Sequence, residues 1–266
     1  MAVAGETSQA LARHRHELDQ FGYTVLPSFL PQERVESLAA RLEQLWEKEG
    51  DQAGSEFRQE PHTRRLANLV DKDPLFWDLI VEPTVLELVR HVLGSRYKLS
   101  SLNARSANPR SPSAQPLHVD MGALPDEQGY SVCNVVWMID AFTADNGALR
   151  VVPGTHRSRR LPQQVLAHPR APHPEEKLVT APAGSVVVLN AHTWHGGTEN
   201  RTNQPRRAIH SFYCRWDLPQ QQYQKALLSR QTQAALSPLL RRLLALDDPL
   251  NDQLSSLVEK PSGFLK

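Results

Sequence analysis

The hydrophobic pattern of the first hundred residues is typical of helices. Over Arg34–Glu49, apolar residues recur at the spacing of one helical face, and Gly50 follows as a stop signal. A second amphipathic segment ends at Gly94 in the same way. We therefore predict a helical N-terminal part over residues 1–95, interrupted by a short strand at Tyr23–Leu26.

After Gly94 the pattern changes to short runs of Val, Ile and aromatic residues, separated by Pro, Gly, Asn and Asp. Strands without helices between them favour an antiparallel sandwich or barrel over βαβ units. We predict this β-rich core over residues 96–216, followed by a helical tail over residues 217–266 that restarts at Ser237-Pro238. The expected strands lie near Lys98–Ala104, Val132–Asp140, Leu149–Val152, Leu178–Thr180, Ser185–Leu189 and Arg206–Arg215. A long proline-rich loop from Arg157 to Lys177 is expected to cover the mouth of the core.

Composition narrows the class of protein. The chain has 266 residues, of which 40% are apolar and 22% charged, and its formal charge is +1. We expect one globular domain, residues 1–266, with no nucleic-acid partner and no membrane partner, because there is no strong net charge and no apolar run of ~18–20 residues. Two cysteines and no visible targeting signal predict a cytoplasmic protein. The oligomeric state stays open.

Two histidines and an aspartate form a candidate metal site. His118 and Asp120 stand two positions apart, so an extended segment points both side chains to one side. His195 follows a strand that reads as buried and precedes Gly196-Gly197, where a chain can approach a site closely. Two imidazoles and one carboxylate, with open positions, form the arrangement used by non-haem Fe(II) oxygenases. By itself this spacing is weak evidence for a metal site, because His-x-Asp occurs by chance in many chains and an isolated histidine is more often a surface or core residue.

Arg206 opens the last predicted strand and strengthens the hypothesis. Strand alternation places Arg206 on the same face as Ala208 and His210, which would point its guanidinium into an apolar interior. A dicarboxylic cosubstrate would supply the partner that a buried guanidinium needs. Arg206 pairing with an internal acidic residue, or a one-residue shift that turns Arg207 inward, would explain the same pattern.

Four segments in order resemble the phytanoyl-CoA dioxygenase family of Fe(II)- and 2-oxoglutarate-dependent oxygenases; they are Gln115–Asp120, Asn146–His156, His195–Thr202 and Arg206–Ala208. The resemblance runs from Phe21-Gly22-Tyr23 to about Trp216. It implies a mainly β fold with flanking helices, whose core is a double-stranded β-helix (jelly-roll, cupin-like). It also implies that His118, Asp120 and His195 ligate iron and that Arg206 binds the distal carboxylate of 2-oxoglutarate.

Further roles follow from the resemblance alone. Gln115, Asn134 and Thr155 are expected near the cosubstrate. The alternative interpretations are that Gln115 is a turn-capping amide, that Asn134 is a strand residue facing solvent, and that Thr155 is a turn cap. Many relatives have Ser where this chain has Gly197. The strand after the iron motif aligns Val136 with the site, so Trp137 is expected to face away.

The resemblance implies an enzyme that uses Fe(II), 2-oxoglutarate and O2 and that hydroxylates an unactivated C–H bond of a small-molecule substrate. Desaturation, epoxidation and ring closure stay open, since they depend on substrate placement. Two other hypotheses are a zinc hydrolase built on His192 and His195, and a non-catalytic jelly-roll binding module. Regular strand geometry would point His192 and His195 to opposite sides, which disfavours the hydrolase. We expect His156 and His210 to be packing residues.

Overall fold

The computed structural model describes residues 2–256, with side chains described from residue 9 onward. The helices are α1 (Ala2–Phe21), α2 (Gln32–Glu49), α3 (Leu69–Lys72), α4 (Asp78–Val81), α5 (Pro83–Leu93), α6 (Pro162–Val165), α7 (Gln224–Leu227), α8 (Arg230–Ala235), α9 (Pro238–Leu243) and α10 (Pro249–Ser256). The strands are β1 (Tyr23–Leu26), β2 (Thr63–Leu66), β3 (Tyr97–Ala107), β4 (Val132–Met138), β5 (Leu149–Val152), β6 (Lys177–Val179), β7 (Val186–Asn190), β8 (Trp194–Gly197) and β9 (Arg206–Arg215).

The strands form two antiparallel sheets. A six-stranded major sheet has the order β1-β7-β4-β9-β3-β2, and a three-stranded minor sheet has the order β6-β5-β8. Apolar side chains from both sheets, among them Val136 and Val187 of the major sheet and Val151 of the minor one, pack into one cluster between them. This arrangement confirms the predicted mainly β fold, a cupin-like jelly-roll with flanking helices.

Strand β4 shows how alternation divides the interior. Its odd-numbered residues Val135 and Trp137 join the cluster under the helices, whereas Val136 and Met138 face the minor sheet. The Trp137 indole donates a hydrogen bond of 2.9 Å to Ser211 Oγ. The prediction that Trp137 faces away and Val136 faces inward is therefore confirmed.

Helices cover the outer face of the major sheet. The helix predicted over Arg34–Glu49 is α2, and its buried residues join the same core cluster as Leu88 of α5 and Leu243 of α9. The predicted start of α9 is also confirmed, because the Ser237 hydroxyl accepts a hydrogen bond from the Leu240 N–H and proline follows it.

The N-terminal part is less helical than predicted. In addition to the expected β1, it contains β2, and these two strands are the opposite edges of the major sheet. Strand β2 pairs with β3, with Arg65 beside Arg105 in the register. The run Thr-Arg-Arg-Leu carries no apolar alternation, so its sequence gives no strand signal.

No residue of the loop over residues 157–177 lines the cavity that contains His118 and His195. Leu161 and Leu166 pack against a buried cluster that includes Leu117 and Trp194. The Pro169 carbonyl accepts a hydrogen bond of 2.8 Å from the Leu117 N–H. The loop therefore supports the segment that carries His118 from outside.

The C-terminal part is helical through Ser256, and residues 257–266 of the predicted tail lie outside the described residues. Within residues 2–256, no helix combines the length and apolar character that crossing a membrane would require.

Candidate metal centre

Backbone pairing brings the two separated parts of the candidate site together. The His118 N–H donates to the His195 carbonyl at 2.9 Å, and the His195 N–H donates to the His118 carbonyl at 3.0 Å. Gly196 permits this approach, because a Cβ at this position would lie 2.9 Å from the Pro116 carbonyl oxygen. The predicted close approach at the glycine pair is confirmed.

The three predicted ligands converge. One ligand atom from each of His118, Asp120 and His195 lies within 4.8 Å of the other two. Asp120 Oδ1 stands 3.6 Å from Nε2 of His118 and 3.6 Å from Nε2 of His195. Donors bound at about 2.1 Å to a common metal ion would lie about 3 Å apart, so a small contraction would complete a site.

Backbone carbonyls fix the orientation of both imidazoles. Nδ1 of His118 lies 2.9 Å from the Pro116 carbonyl oxygen, and Nδ1 of His195 lies 2.8 Å from the Thr193 carbonyl oxygen. A carbonyl can only accept, so Nδ1 carries the proton and each Nε2 presents a lone pair. Such outer contacts are what orient metal-binding histidines.

Asp120 is held ionised. Its Oδ2 accepts a hydrogen bond of 2.9 Å from Asn134 Nδ2. Burial alone would raise the pKa of the carboxyl, but protonated His195 and His118 outweigh burial and hold the pKa well below its usual range. Burial lowers the pKa of His195, but the Asp120 carboxylate outweighs it and raises that pKa. A metal cation would compete with these protons for the two Nε2 atoms, and with both rings neutral the three side chains form a donor set that could hold a divalent cation.

Arg206 is the buried guanidinium that strand alternation predicted. It is 4% exposed, its side chain donates to the Gly147 carbonyl at 2.7 Å, and it packs 4.3 Å from the Phe142 ring. Its Nε has no hydrogen-bond partner, and no acidic side chain among residues 9–256 forms an ion pair with it. Burial lowers the pKa of Arg206 to about 9, and nearby Arg105 adds to the effect.

Arg207 points outward, where it pairs with Asp140 at 2.7 Å.

Of the other predicted cosubstrate neighbours, Gln115 and Asn134 line the cavity beside the donor set. Gln115 Oε1 accepts a hydrogen bond of 3.1 Å from the Gly197 N–H. Thr155 does not line this cavity: its hydroxyl donates to the Val152 carbonyl and accepts from the Trp194 N–H. It is the turn cap of the alternative interpretation.

His192 does not join the donor set. Its Nδ1 lies 2.9 Å from Asn190 Oδ1, and its Nε2 lies 3.2 Å from Ser131 Oγ. Burial lowers the pKa of His192 to about 4, which keeps the ring neutral and structural. The geometry therefore removes the basis of a zinc hydrolase built on His192 and His195.

A second polar group lies in the same cavity and has no signal in the sequence. Glu60 Oε2 accepts hydrogen bonds from Arg65 Nε at 3.0 Å and from Arg105 Nε at 3.1 Å. We call Glu60, Arg65 and Arg105 the arginine cluster. His210, predicted to be a packing residue, also lines this cavity. No motif marks these residues, since only the pairing of β2 with β3 brings Arg65 beside Arg105.

The cavity therefore has a metal-donor region, a buried arginine and an arginine cluster. Its lining is completed by a mixed group of apolar and polar side chains, which are Phe57, Ser101, Asn103, Val136, Phe142, Leu149, Leu189, Phe212 and Gln221, together with Gly197.

Comparison with known proteins gives one family. The family model described as "Phytanoyl-CoA dioxygenase (PhyH)" matches residues 18–208. A curated relative, "Dioxygenase af480" of Aspergillus fumigatus, is 29% identical over 242 residues, which cover 86% of this chain and 75% of the relative.

Solved structures share the fold. The chain is similar to HygX from Streptomyces hygroscopicus, solved with nickel and 2-oxoglutarate bound, with a TM-score of 0.62 and 19% identity over 78% of this chain and 88% of that one. It is also similar to the non-heme alpha ketoglutarate dependent epimerase SnoN from nogalamycin biosynthesis, with a TM-score of 0.64 and 19% identity over 78% of this chain and 84% of that one.

The ion pairs of Glu60 predict a pH dependence of stability. Burial alone raises the pKa of Glu60, but Arg65 and Arg105 outweigh it and lower the pKa from 4.5 to about 2. Because the pKa is lower in the folded state, Glu60 stabilises the fold above about pH 4.5, by about 3 kcal/mol, and this contribution is lost as the pH falls toward 2. We expect Glu60→Gln to flatten the fall of unfolding free energy between pH 5 and 3, measured by urea titration. Equal slopes for both proteins would contradict this account.

Proposed function

The chain belongs to the phytanoyl-CoA dioxygenase family and is a 2-oxoglutarate-dependent dioxygenase, and from this premise we propose that it hydroxylates an unactivated C–H bond of a small-molecule metabolite. Iron bound with 2-oxoglutarate and O2 supplies oxidative decarboxylation to succinate and carbon dioxide, coupled to oxidation of the substrate. The chain's own residues position the reactants and exclude water.

The observation that carries the proposal is the convergence of three donors. His118, Asp120 and His195 are proposed to ligate Fe(II) on one side, leaving the other positions for the cosubstrate and O2. The donor set fits this ion, because backbone carbonyls engage both Nδ1 atoms, which leaves both Nε2 atoms and the Asp120 carboxylate to face a metal cation that would replace the Nε2 protons.

Arg206 is proposed to bind the distal carboxylate of 2-oxoglutarate. A buried guanidinium with a free Nε and no acidic partner among residues 9–256 is costly unless an anion joins it. Gln115 and Asn134 line the same space and are proposed to contact the cosubstrate; Asn134 Oδ1 is buried and has no hydrogen-bond partner among the described residues. Val136, Leu149 and Leu189 supply an apolar lining that keeps water from the reaction.

Removal of a proposed ligand tests the metal assignment. We expect His118→Ala to abolish oxygen-dependent conversion of 2-oxoglutarate to succinate and to remove the visible charge-transfer band of the anaerobic Fe(II) complex, because two donors hold the metal poorly. His168→Ala, which changes an exposed histidine in the 157–177 loop, is the matched control and should retain both signals. Succinate release by His118→Ala at the intact rate would refute the assignment.

Arg206 is tested through the cosubstrate. We expect Arg206→Gln to raise KM for 2-oxoglutarate by roughly two orders of magnitude, since loss of one member of a buried charge pair costs about 2–5 kcal/mol. Arg207→Gln is the control, because the neighbouring arginine pairs with Asp140 outside the cavity. An equal effect of both variants on KM would contradict the proposed role.

Hydroxylation itself is tested with 18O2. We expect one oxygen atom in succinate and the other in the product, which gains one oxygen and loses no hydrogen overall. A product that lacks the label and has lost two hydrogens would indicate desaturation or ring closure, and an unlabelled isomer would indicate epimerisation. Mass spectrometry of the coupled reaction distinguishes these results.

A further inference from the structure

The arginine cluster carries more positive than negative charge inside the cavity. Arg65 and Arg105, which both line the cavity, share one carboxylate, that of Glu60. The side chains of Glu60 and Arg105 are each 7% exposed, and that of Arg65 is 15% exposed. Buried cations in excess of their partners favour the entry of an anion.

The proposed cosubstrate does not use this excess. A divalent iron, the Asp120 carboxylate, the Arg206 guanidinium and dianionic 2-oxoglutarate sum to zero charge. The arginine cluster lies on the far side of β9 from Asn134, since β3 and β2 follow β9 in the major sheet. Its positive charge is therefore left for another molecule in the same cavity.

Neighbouring groups point to the same conclusion. Burial lowers the pKa of His210 to about 3, and the positive charges of Arg65, Arg206 and Arg105 add to the effect. His210 therefore stays neutral, and the positive potential of the arginines extends into the cavity that it lines. Nε2 of His210 is buried without a hydrogen-bond partner among the described residues.

Gln221 is an independent sign of a ligand. It is 4% exposed and lines the cavity, and its Oε1 accepts a hydrogen bond of 2.6 Å from Ser101 Oγ. Its Nε2 is buried and has no partner within the described part of the chain. An amide N–H donor left unpaired beside excess positive charge is suited to an anionic acceptor.

We propose that the arginine cluster, with His210 and Gln221, binds a carboxylate of the primary substrate, which is a monocarboxylic acid with an apolar body. The apolar part would lie against Phe57 and Phe212, which line the same cavity. This inference rests on the proposed function and names the substrate class of the same site.

The test compares acids with their neutral amides. Benzoate, phenylacetate and hexanoate, each paired with its primary amide, are titrated calorimetrically into the anaerobic protein loaded with Fe(II) and 2-oxoglutarate. We expect at least one acid to bind about tenfold more tightly than its amide. Arg65→Gln should reduce that preference to less than about threefold, and Arg65→Lys should retain most of it.

Two further variants separate recognition from folding. Arg64→Gln changes the adjacent arginine, which pairs with Glu43 and packs on Trp46 away from the cavity, so it should keep the full preference. Glu60→Gln removes the competing carboxylate and should strengthen the acid preference, an increase that a purely structural ion pair would not produce.

The outcomes are distinguishable. No acid preference in the intact protein, or a preference that survives Arg65→Gln, overturns the inference while 2-oxoglutarate still binds. If Arg65→Gln does not fold, the Glu60→Gln variant decides: a preference for the acid over its amide that is unchanged or weaker than in the intact protein overturns the inference. Failure of the intact protein to bind 2-oxoglutarate overturns the proposed function, and this inference with it.

Discussion

The candidate site depends on the reciprocal hydrogen bonds between the backbones of His118 and His195. They attach the segment before Asp120, which lies outside the named strands, to β8 of the minor sheet. Without this pairing nothing in the backbone would hold the two imidazoles, which are far apart in the sequence, next to each other in space. Because the backbone also supplies the carbonyls that accept from both Nδ1 atoms, one local arrangement sets both the position and the tautomer of each ring.

The buried arginines differ in whether a carboxylate of the chain pairs with them. Arg150 and Arg215 are each about 5% exposed or less, and both pair with described carboxylates, at 3.1 Å and 2.5 Å. Arg206 is equally buried, but its contacts are a carbonyl and an aromatic ring. Since the fold pairs Arg150 and Arg215 with carboxylates, leaving Arg206 unpaired carries a net cost unless a bound anion offsets the desolvation.

The sequence predicted those parts of the site that follow from local geometry. His118 and Arg206 lie in extended segments, and Asp120 directly follows the extended Val119, so alternation with period two predicts the side that each residue faces. The Thr155 hydroxyl bonds to the backbone, which a turn hydroxyl can do as readily as it can contact a ligand, so its role does not follow from local geometry. The arginine cluster has no local signal: Arg65 and Arg105 meet only through the long-range pairing of β2 with β3, and the β2 run has no apolar pattern.

Gly197 connects the metal-donor region with the arginine cluster. A Cβ at this position would lie 3.3 Å from Gln115 Oε1 and 3.6 Å from a terminal nitrogen of Arg105. The space beside Gly197 is thus bordered by an amide beside the donor set and a guanidinium of the cluster. Because Gln115 also accepts from the Gly197 N–H, a Cβ here would require that amide to shift by a few tenths of an ångström, whereas the contact with Arg105 would be an ordinary one. A glycine at this position therefore leaves the space between the two regions free of a side chain.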